Sequence, residues 1–326
     1  MRILVTGASG FVGSLLIPKL RAQGHTLRAV SRNPDRMRAA LTAGVEVLRA
    51  DVSTGDGLER ALEGVELAYY LIHSMERVEG SRVAFPERER AAAETFAAAA
   101  ARAGVLRIVY LGGLTPHPRV PAQPQGQHED THTPGEPHVS RHLASRAQVE
   151  RVLLDAVGDS VALRASIVIG AGSRSFRLLV HLIERMPVLT LPAWQTLRTQ
   201  PIDGRDVIEM LAACATAKLP RRSLDIGGPD VLSYGEMLES IAELMLVNRP
   251  TVALGVNLTG ITARVAAAIA GEDPELVLPL MEGLQEDLLP ADDHAAELLG
   301  VRLHSFESAV EHALAEWEHS ERLAAR

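Results

Sequence analysis

Residues Thr6-Gly7-Ala8-Ser9-Gly10-Phe11-Val12-Gly13 follow the aliphatic run Ile3-Leu4-Val5 and open an apolar stretch of helical period. Three glycines at this spacing, between a strand and a helix, have a mechanical logic. The first permits a sharp turn, the second lets backbone N–H groups approach a pyrophosphate, and the third lets the helix pack closely on the sheet. The helix N-terminus then aims its unpaired N–H groups at the phosphates. A lone glycine triplet is weak evidence, but here the strand, the helix and the spacing agree. Gly7, Ser9, Gly10, Phe11, Val12 and Gly13 are therefore expected to cradle the pyrophosphate of a dinucleotide.

The first half of the chain repeats this alternation. Segments 3–5, 26–30, 45–49, 67–71 and 107–111 read as strands, and 11–22, 34–41, 56–62 and 86–103 as helices. Strand–helix alternation at this spacing predicts right-handed crossovers and an α/β fold with a doubly wound, Rossmann-type parallel sheet. Pro18 falls inside the first helix at the expense of a hydrogen bond, and the surrounding pattern overrides it. Pro116, Pro118, Pro121, Pro124, Pro134 and Pro137 then interrupt the rhythm, so 115–140 reads as a long loop. Helices are expected at 139–156, 175–185, 203–217 and 234–246, strands at 161–164 and 223–226, and mostly helix over the last stretch. The expected organisation is a dinucleotide-binding domain over 1–165, with sheet contributions from 200–230. A smaller, mostly helical substrate or partner lobe is expected over 166–326.

The end of the second strand sets cofactor choice. An NAD site places Asp or Glu there for the ribose 2′-hydroxyl, whereas this chain offers Ser31 and Arg32 in Val30-Ser31-Arg32-Asn33. A hydroxyl and a guanidinium suit a 2′-phosphate, so NADP(H) is expected over NAD(H). Asp51 and Val52, ending the third strand, are placed to hold the adenine ring. The net charge of −8 and pI of about 5.9 disfavour a nucleic-acid partner and leave a small-molecule substrate as the expected ligand. Cys214 is the one cysteine and lies in the apolar stretch 207–217, where a buried, inert thiol is expected. No apolar run reaches the ~18 residues of a membrane span. The nearest, 252–270, is interrupted by Asn257, Thr259, Thr262 and Arg264 and reads as buried. No leader-like segment precedes the first strand, so a cytoplasmic location is expected.

Thr6–Gly13, Ser31-Arg32, Asp51-Val52 and Leu163-Arg164-Ala165-Ser166-Ile167-Val168-Ile169-Gly170, taken in order, resemble the short-chain dehydrogenase/reductase superfamily. The resemblance lies with its extended and atypical branches, more narrowly with NmrA-like and nucleoside-diphosphate-sugar-epimerase-like members. Tyr69-Tyr70-Leu71-Ile72-His73-Ser74, Gln200-Pro201-Ile202-Asp203-Gly204-Arg205-Asp206-Val207 and Asp225-Ile226-Gly227-Gly228-Pro229-Asp230 also match segments common in that group. The resemblance implies that Leu71, Ile72, His73 and Ser74 pass near the cofactor riboses. It implies too that Gly112 and Gly113 line the cofactor, and that Ser166, Ile167 and Val168 lie near the nicotinamide end.

The superfamily's usual catalytic pair is a Tyr four residues before a Lys. The only lysines are Lys19 and Lys218, and none of Tyr69, Tyr70, Tyr110 and Tyr234 has Lys four residues later. At the corresponding place stands His142-Leu143-Ala144-Ser145-Arg146, whose spacing puts His142 and Arg146 on one helical face. Arg146 suits the nicotinamide ribose but stays charged, whereas His142 titrates near neutrality and suits an acid. The alternative is that both solvate an exposed face. The supporting Ser is also missing, with Thr115 a weak substitute. His128-Glu129-Asp130-Thr131-His132 matches a zinc-protease pattern but lies in the proline-rich loop, so no metal site is expected. Leu178, Leu179, Leu182, Met186 and Leu191 line a substrate cleft or, more simply, form helix core. Two functional readings stand: an NADP(H)-dependent oxidoreductase or epimerase-like enzyme, and a non-catalytic NADP(H)-binding sensor or assembly factor. Oligomeric state is left open.

Overall fold

Ile3, Leu4 and Val5 are wholly buried, as a strand covered on both faces requires. In this computed structural model, the described residues are 1–35, 37, 44–72, 85–115, 141–191, 193–219, 222–247, 249–253 and 286–320. The strands of the first half are β1 (Arg2–Val5), β2 (Thr26–Ser31), β3 (Glu46–Arg49), β4 (Leu67–Tyr70), β5 (Arg107–Gly113) and β6 (Val161–Ala165). Shorter strands follow: β7 (Val168–Ile169), β8 (Leu189–Leu191), β9 (Arg198–Thr199), β10 (Ile202–Asp203), β11 (Ser223–Ile226), β12 (Leu232–Ser233) and β13 (Thr251–Ala253). The helices are α1 (Phe11–Ala22), α2 (Leu58–Leu62), α3 (Phe85–Arg102), α4 (Arg141–Ala156) and α5 (Arg174–Arg185). They continue with α6 (Gly204–Ala213), α7 (Tyr234–Leu244), α8 (Ala295–Leu299) and α9 (Phe306–Ser320).

Seven strands form one parallel sheet in the order β11-β6-β5-β4-β1-β2-β3. The order reverses between β1 and β4, the switch point where open α/β sheets bind ligands beyond their carboxyl ends. Side chains alternate across the sheet. Ile3, Val5 and Ala29 face a cluster with Leu16 and Leu20 of α1 and Val207 and Leu211 of α6. Leu4, Val30 and Tyr110 face Ala93 and Phe96 of α3 and Leu153 of α4. A further core joins Phe176, Val180, Tyr234, Ile241, Val310 and Trp317 from α5, α7 and α9.

Arginine closes many of the helices. The last carbonyls of a helix lack intrahelical partners and sit at its negative end. Arg28 reaches from β2 to the Ala61 carbonyl at 2.6 Å, and Arg107 from β5 to Cys214 and Ala217 at 2.6 and 2.9 Å. Arg222 caps α4 through Val157 at 3.1 Å, and Arg249 caps α5 through Ile183 and Glu184 at 3.1 and 3.0 Å. Carboxylates hold the final segment. Asp225, Asp206 and Asp230 accept backbone N–H groups of Ala291, His304 and Phe306 at 2.9, 2.8 and 2.7 Å.

The long strands and helices fall where the periodicity places them, within a few residues. The helix expected at 203–217 is shorter: Asp203 is its N-cap, accepting from Arg205 N, and Cys214 its C-cap. The short strands β7 to β10, β12 and β13 were not anticipated, because two or three residues carry no period. Helix α1 runs through Pro18. Of 34–41 only Pro34, Asp35 and Met37 are described, all helical, while 116–140 and 254–285 lie outside the described residues.

Candidate functional site

Gly7 turns the chain at φ +65°, and a Cβ there would stand 2.6 Å from the Leu71 carbonyl oxygen. A Cβ at Gly13 would stand 2.4 Å from the Gly7 oxygen. The tip of the loop is thus closed against its own backbone, and Gly10 N donates to Gly7 O at 2.9 Å. Thr6 stitches β1 to β4, its hydroxyl donating to Tyr69 O at 3.0 Å and accepting from Leu71 N at 3.1 Å. Helix α1 has Gly10 as N-cap, with no side-chain cap and no acidic residue in its first turn. That leaves its N-terminus open to an anion. Ser9 is exposed beside it, Gly13 is buried, and Val12 packs into the core. The Phe11 ring turns away from the loop and nests against Gly170, Gly172 and Gly204, where added Cβ atoms would stand 2.3, 2.7 and 3.0 Å from ring carbons. Only the Phe11 backbone is therefore turned to a phosphate role.

At the end of β2 the Ser31 hydroxyl donates to Asn33 O at 3.1 Å and accepts from Asn33 N at 3.0 Å, closing a turn. Arg32 next to it is exposed and makes no hydrogen bond or ion pair with the described residues. Asp51 Oδ1 accepts from Ser53 N and Ser53 Oγ at 2.8 and 2.6 Å, which fixes the turn after β3. Val52 and Ile72 are partly buried on one cluster and Leu71 on the other. His73 and Ser74 lie outside the described residues.

Helix α4 lies on β5. The Arg146 side chain is only 8 % exposed, which overturns the alternative of a solvated face. Its Nη2 donates to the Leu111 carbonyl, its Nη1 lies 3.9 Å from Glu89 Oε1, and its guanidinium carbon sits 4.8 Å from the centre of the Tyr110 ring. Ser145 Oγ donates to the same Glu89 carboxylate at 3.0 Å. Half-buried His142 stacks on Phe85, centroids 6.2 Å apart at 26°. Gly113 lies under Leu143 of α4, and a Cβ on it would stand 3.1 Å from Leu143 Cδ2. A Cβ on Gly112 would stand 2.8 Å from the Tyr110 ring. Ser166 donates to Gln200 O at 2.8 Å, the Ile167 carbonyl accepts from Ile202 N at 2.9 Å, and Val168 pairs with Ile202. These three are clasped at the carboxyl end of β6 by the segment 200–203.

Glu89 was missed in the sequence. No signal in the sequence separates it from Glu87 and Glu94 on the same helix. The four tyrosines are all buried, and burial pushes each phenol well above its ordinary range. Tyr69 donates to Leu211 O at 2.8 Å, a structural bond. Cys214 is buried, and burial pushes its thiol up to about 12. Leu178 is buried in the core of Phe176 and Trp317, with Leu179, Leu182 and Met186 packed against that core. Among the described residues there is no group of three or more His, Cys, Asp or Glu side chains placed to hold a metal ion. Nor is any helix among them long and apolar enough to cross a membrane. The His128–His132 pattern lies outside the described residues.

Fold and loop together define a Rossmann-type NAD(P)-binding protein. Residues 7–153 match a family of NAD(P)H-binding domains. This match and the seven-stranded parallel sheet support the resemblance to the short-chain dehydrogenase/reductase superfamily. It is 34% identical over 115 residues to a 3 beta-hydroxysteroid dehydrogenase/Delta 5→4-isomerase of Mycobacterium tuberculosis, a match covering 33% of this chain and 30% of that protein. The aligned part thus spans less than a third of that relative's length. It is 26% identical over 246 residues to a ceramide reductase of Caulobacter vibrioides, covering 74% of this chain and 70% of that one. The crystal structure of gox2253 superposes with a TM-score of 0.72 at 21% identity, over 97% of both chains, a likeness of fold.

Proposed function

We propose that the protein is an NADP(H)-dependent oxidoreductase, or epimerase-like enzyme, of the atypical short-chain dehydrogenase/reductase type. Its substrate is a small apolar molecule bearing a carbonyl or secondary alcohol. The observation that carries the cofactor choice is the end of β2, where Ser31 and exposed Arg32 stand in place of the carboxylate of an NAD site. Two relatives whose names specify a steroid and a ceramide support an apolar substrate.

The glycine cradle, which a Cβ at Gly7 or Gly13 would fill, and the uncapped start of α1 fit a dinucleotide. Gly7, Ser9, Gly10, Phe11, Val12 and Gly13 would hold the pyrophosphate through their backbone. Asp51, Val52, Leu71, Ile72 and His73 would take the adenosine half, and Gly112, Gly113, Ser166, Ile167 and Val168 the nicotinamide half. When bound, the cofactor supplies hydride transfer. In this reading His142 holds the proton for the substrate oxygen, since an imidazole titrates near neutrality. Arg146 fixes the end of β5 through the Leu111 carbonyl and would offer a permanent cation to the ribose. Residues 166–326 form the substrate side.

The test is a titration with NADPH and NADH, followed by cofactor oxidation against quinones, ketosteroids and long-chain carbonyls. His142→Ala is expected to lower turnover by ~10²-fold or more, as loss of a general acid does, with NADPH affinity nearly unchanged. Arg32→Asp is expected to reverse the preference for NADPH over NADH, and an unchanged preference would refute its role. A second reading, an NADP(H)-binding sensor or assembly factor, is favoured by the missing Tyr–Lys pair and the burial of all four tyrosines. Tight NADPH binding without turnover across the panel, and a His142→Ala variant altered only in partner binding, would select it.

A further inference from the structure

We propose that Arg49, at the end of β3, is a second cation for the cofactor's adenosine 2′-phosphate and shares with Arg32 the choice of NADP(H). The inference rests on the NADP(H) reading and adds a residue to it. The parallel register pairs Ser31 with Arg49, so these residues end adjacent strands side by side. Register partners in a sheet direct their side chains to the same face. Val47 and Ala29 on that face belong to the α1 cluster, whereas Leu48 and Val30 belong to the opposite one. The rung beyond is closed by Ala50 N donating to Ser31 O at 3.1 Å. Ser31, Arg32 and Arg49 thus occupy one corner of the sheet's carboxyl edge, the edge at which this architecture binds ligands.

Arg49 is also uncommitted. It is exposed and makes no hydrogen bond or ion pair with the described residues. By contrast Arg28, Arg107, Arg222 and Arg249 are spent on helix carbonyls, and Arg146 on Leu111 and Glu89. Two of the nearby acids are occupied. Glu46 faces the other side of the sheet and pairs with Arg28 at 2.8 Å, and Asp51 Oδ1 is held by Ser53. The ligand chemistry calls for two cations. A phosphate monoester carries about −1.5 to −2 at neutral pH, and one guanidinium supplies a single positive charge. Two arginines at neighbouring strand ends would match both its charge and its three acceptor oxygens.

The experiment is calorimetric titration of the full chain, wild type, Arg49→Gln and Arg32→Gln, with NADPH, NADH, 2′,5′-ADP and 5′-ADP. Since Arg49 has no partner among the described residues, its substitution leaves the fold intact. The expected result is about a tenfold loss of affinity for NADPH and 2′,5′-ADP in Arg49→Gln, one charge-assisted contact's worth, with NADH and 5′-ADP unchanged. Wild-type affinity for NADPH in Arg49→Gln, while Arg32→Gln loses it, overturns the role of Arg49 and leaves the NADP(H) reading standing. Equal losses for NADPH and NADH also overturn it. Wild-type protein that binds NADH as tightly as NADPH overturns the NADP(H) reading itself, and the role of Arg49 with it.

Discussion

Glu89→Met is expected to destabilise the protein by about 3 kcal/mol, because it strands a buried cation. Glu89 and Arg146 are 6 % and 7 % exposed, and Arg146 lies between α3, α4 and the Tyr110 ring. Removing one member of a buried ion pair costs about 3–5 kcal/mol, since the survivor keeps its desolvation penalty without its partner. The low end applies here. The ionic separation is 3.9 Å, and Arg146 retains the Leu111 carbonyl and the face of Tyr110. Part of the loss belongs to Ser145, whose hydroxyl donates to Glu89 at 3.0 Å. A protein of this kind has about 5–15 kcal/mol in hand, so the variant folds and the loss is measurable by urea denaturation. The decisive comparison is the double variant Glu89→Met/Arg146→Met. With both charges gone nothing is stranded, and the cycle should show a coupling of at least ~1.5 kcal/mol. A Glu89→Met loss below ~1 kcal/mol, or a double variant that loses the sum of its singles, would refute the pairing.

Gly13→Ala should weaken NADPH binding at least about tenfold while the chain still folds. Its Cβ would stand 2.4 Å from Gly7 O and 2.8 Å from Ala8 Cα, so backbone of the loop must shift; unchanged affinity in a fluorescence titration would exclude the loop as the site. Glu236 closes the capping box of α7 with Ser233. The Ser233 backbone N–H and hydroxyl hold the Glu236 carboxyl below its ordinary value of 4.5. A depressed folded-state pKa contributes stability above the unfolded value and loses it as pH falls through the folded one. Glu236→Gln should therefore lower the urea midpoint at about pH 7 and converge on wild type as pH falls below 4.5 through the depressed folded pKa; a deficit independent of pH would refute the linkage. Cys214, with its thiol pushed up by burial, should resist a thiol reagent under native conditions and react at once in denaturant.

What was legible in the sequence is what local physics writes there. The interior strands β1, β2, β4, β5 and β6 are largely buried and long enough to show as apolar runs, whereas the edge strand β3 alternates. The loop at Gly7 to Gly13 is dictated by contacts within a few residues and by one neighbouring strand end at Leu71. The remainder depends on residues distant in the chain. The Phe11 ring fits only because glycines stand at 170, 172 and 204, a cradle formed by folding the second half against the first. The spacing on α4 leaves Arg146 open between a ribose contact and a solvated face, and its burial against Glu89, Leu111 and Tyr110 depends on other elements. Asp203 and Asp206 belong to one motif yet do different work. Asp203 caps its own helix, while Asp206 holds the backbone N–H and ring of His304 at 2.8 and 2.6 Å. The same division runs through the site. The glycine loop proposed for the phosphates rests on local backbone geometry, which the motif's spacing anticipates. The half expected to carry the reaction rests on side chains meeting across elements, and there the absent Tyr–Lys pair gave no template for what replaced it. The face of α4 that bears His142 and Arg146 is therefore a packed, charged joint between helix and sheet. Glu89, Leu111 and Tyr110 hold the Arg146 cation rigidly there, so the joint is fixed by contacts from α3 and β5 rather than by α4 alone.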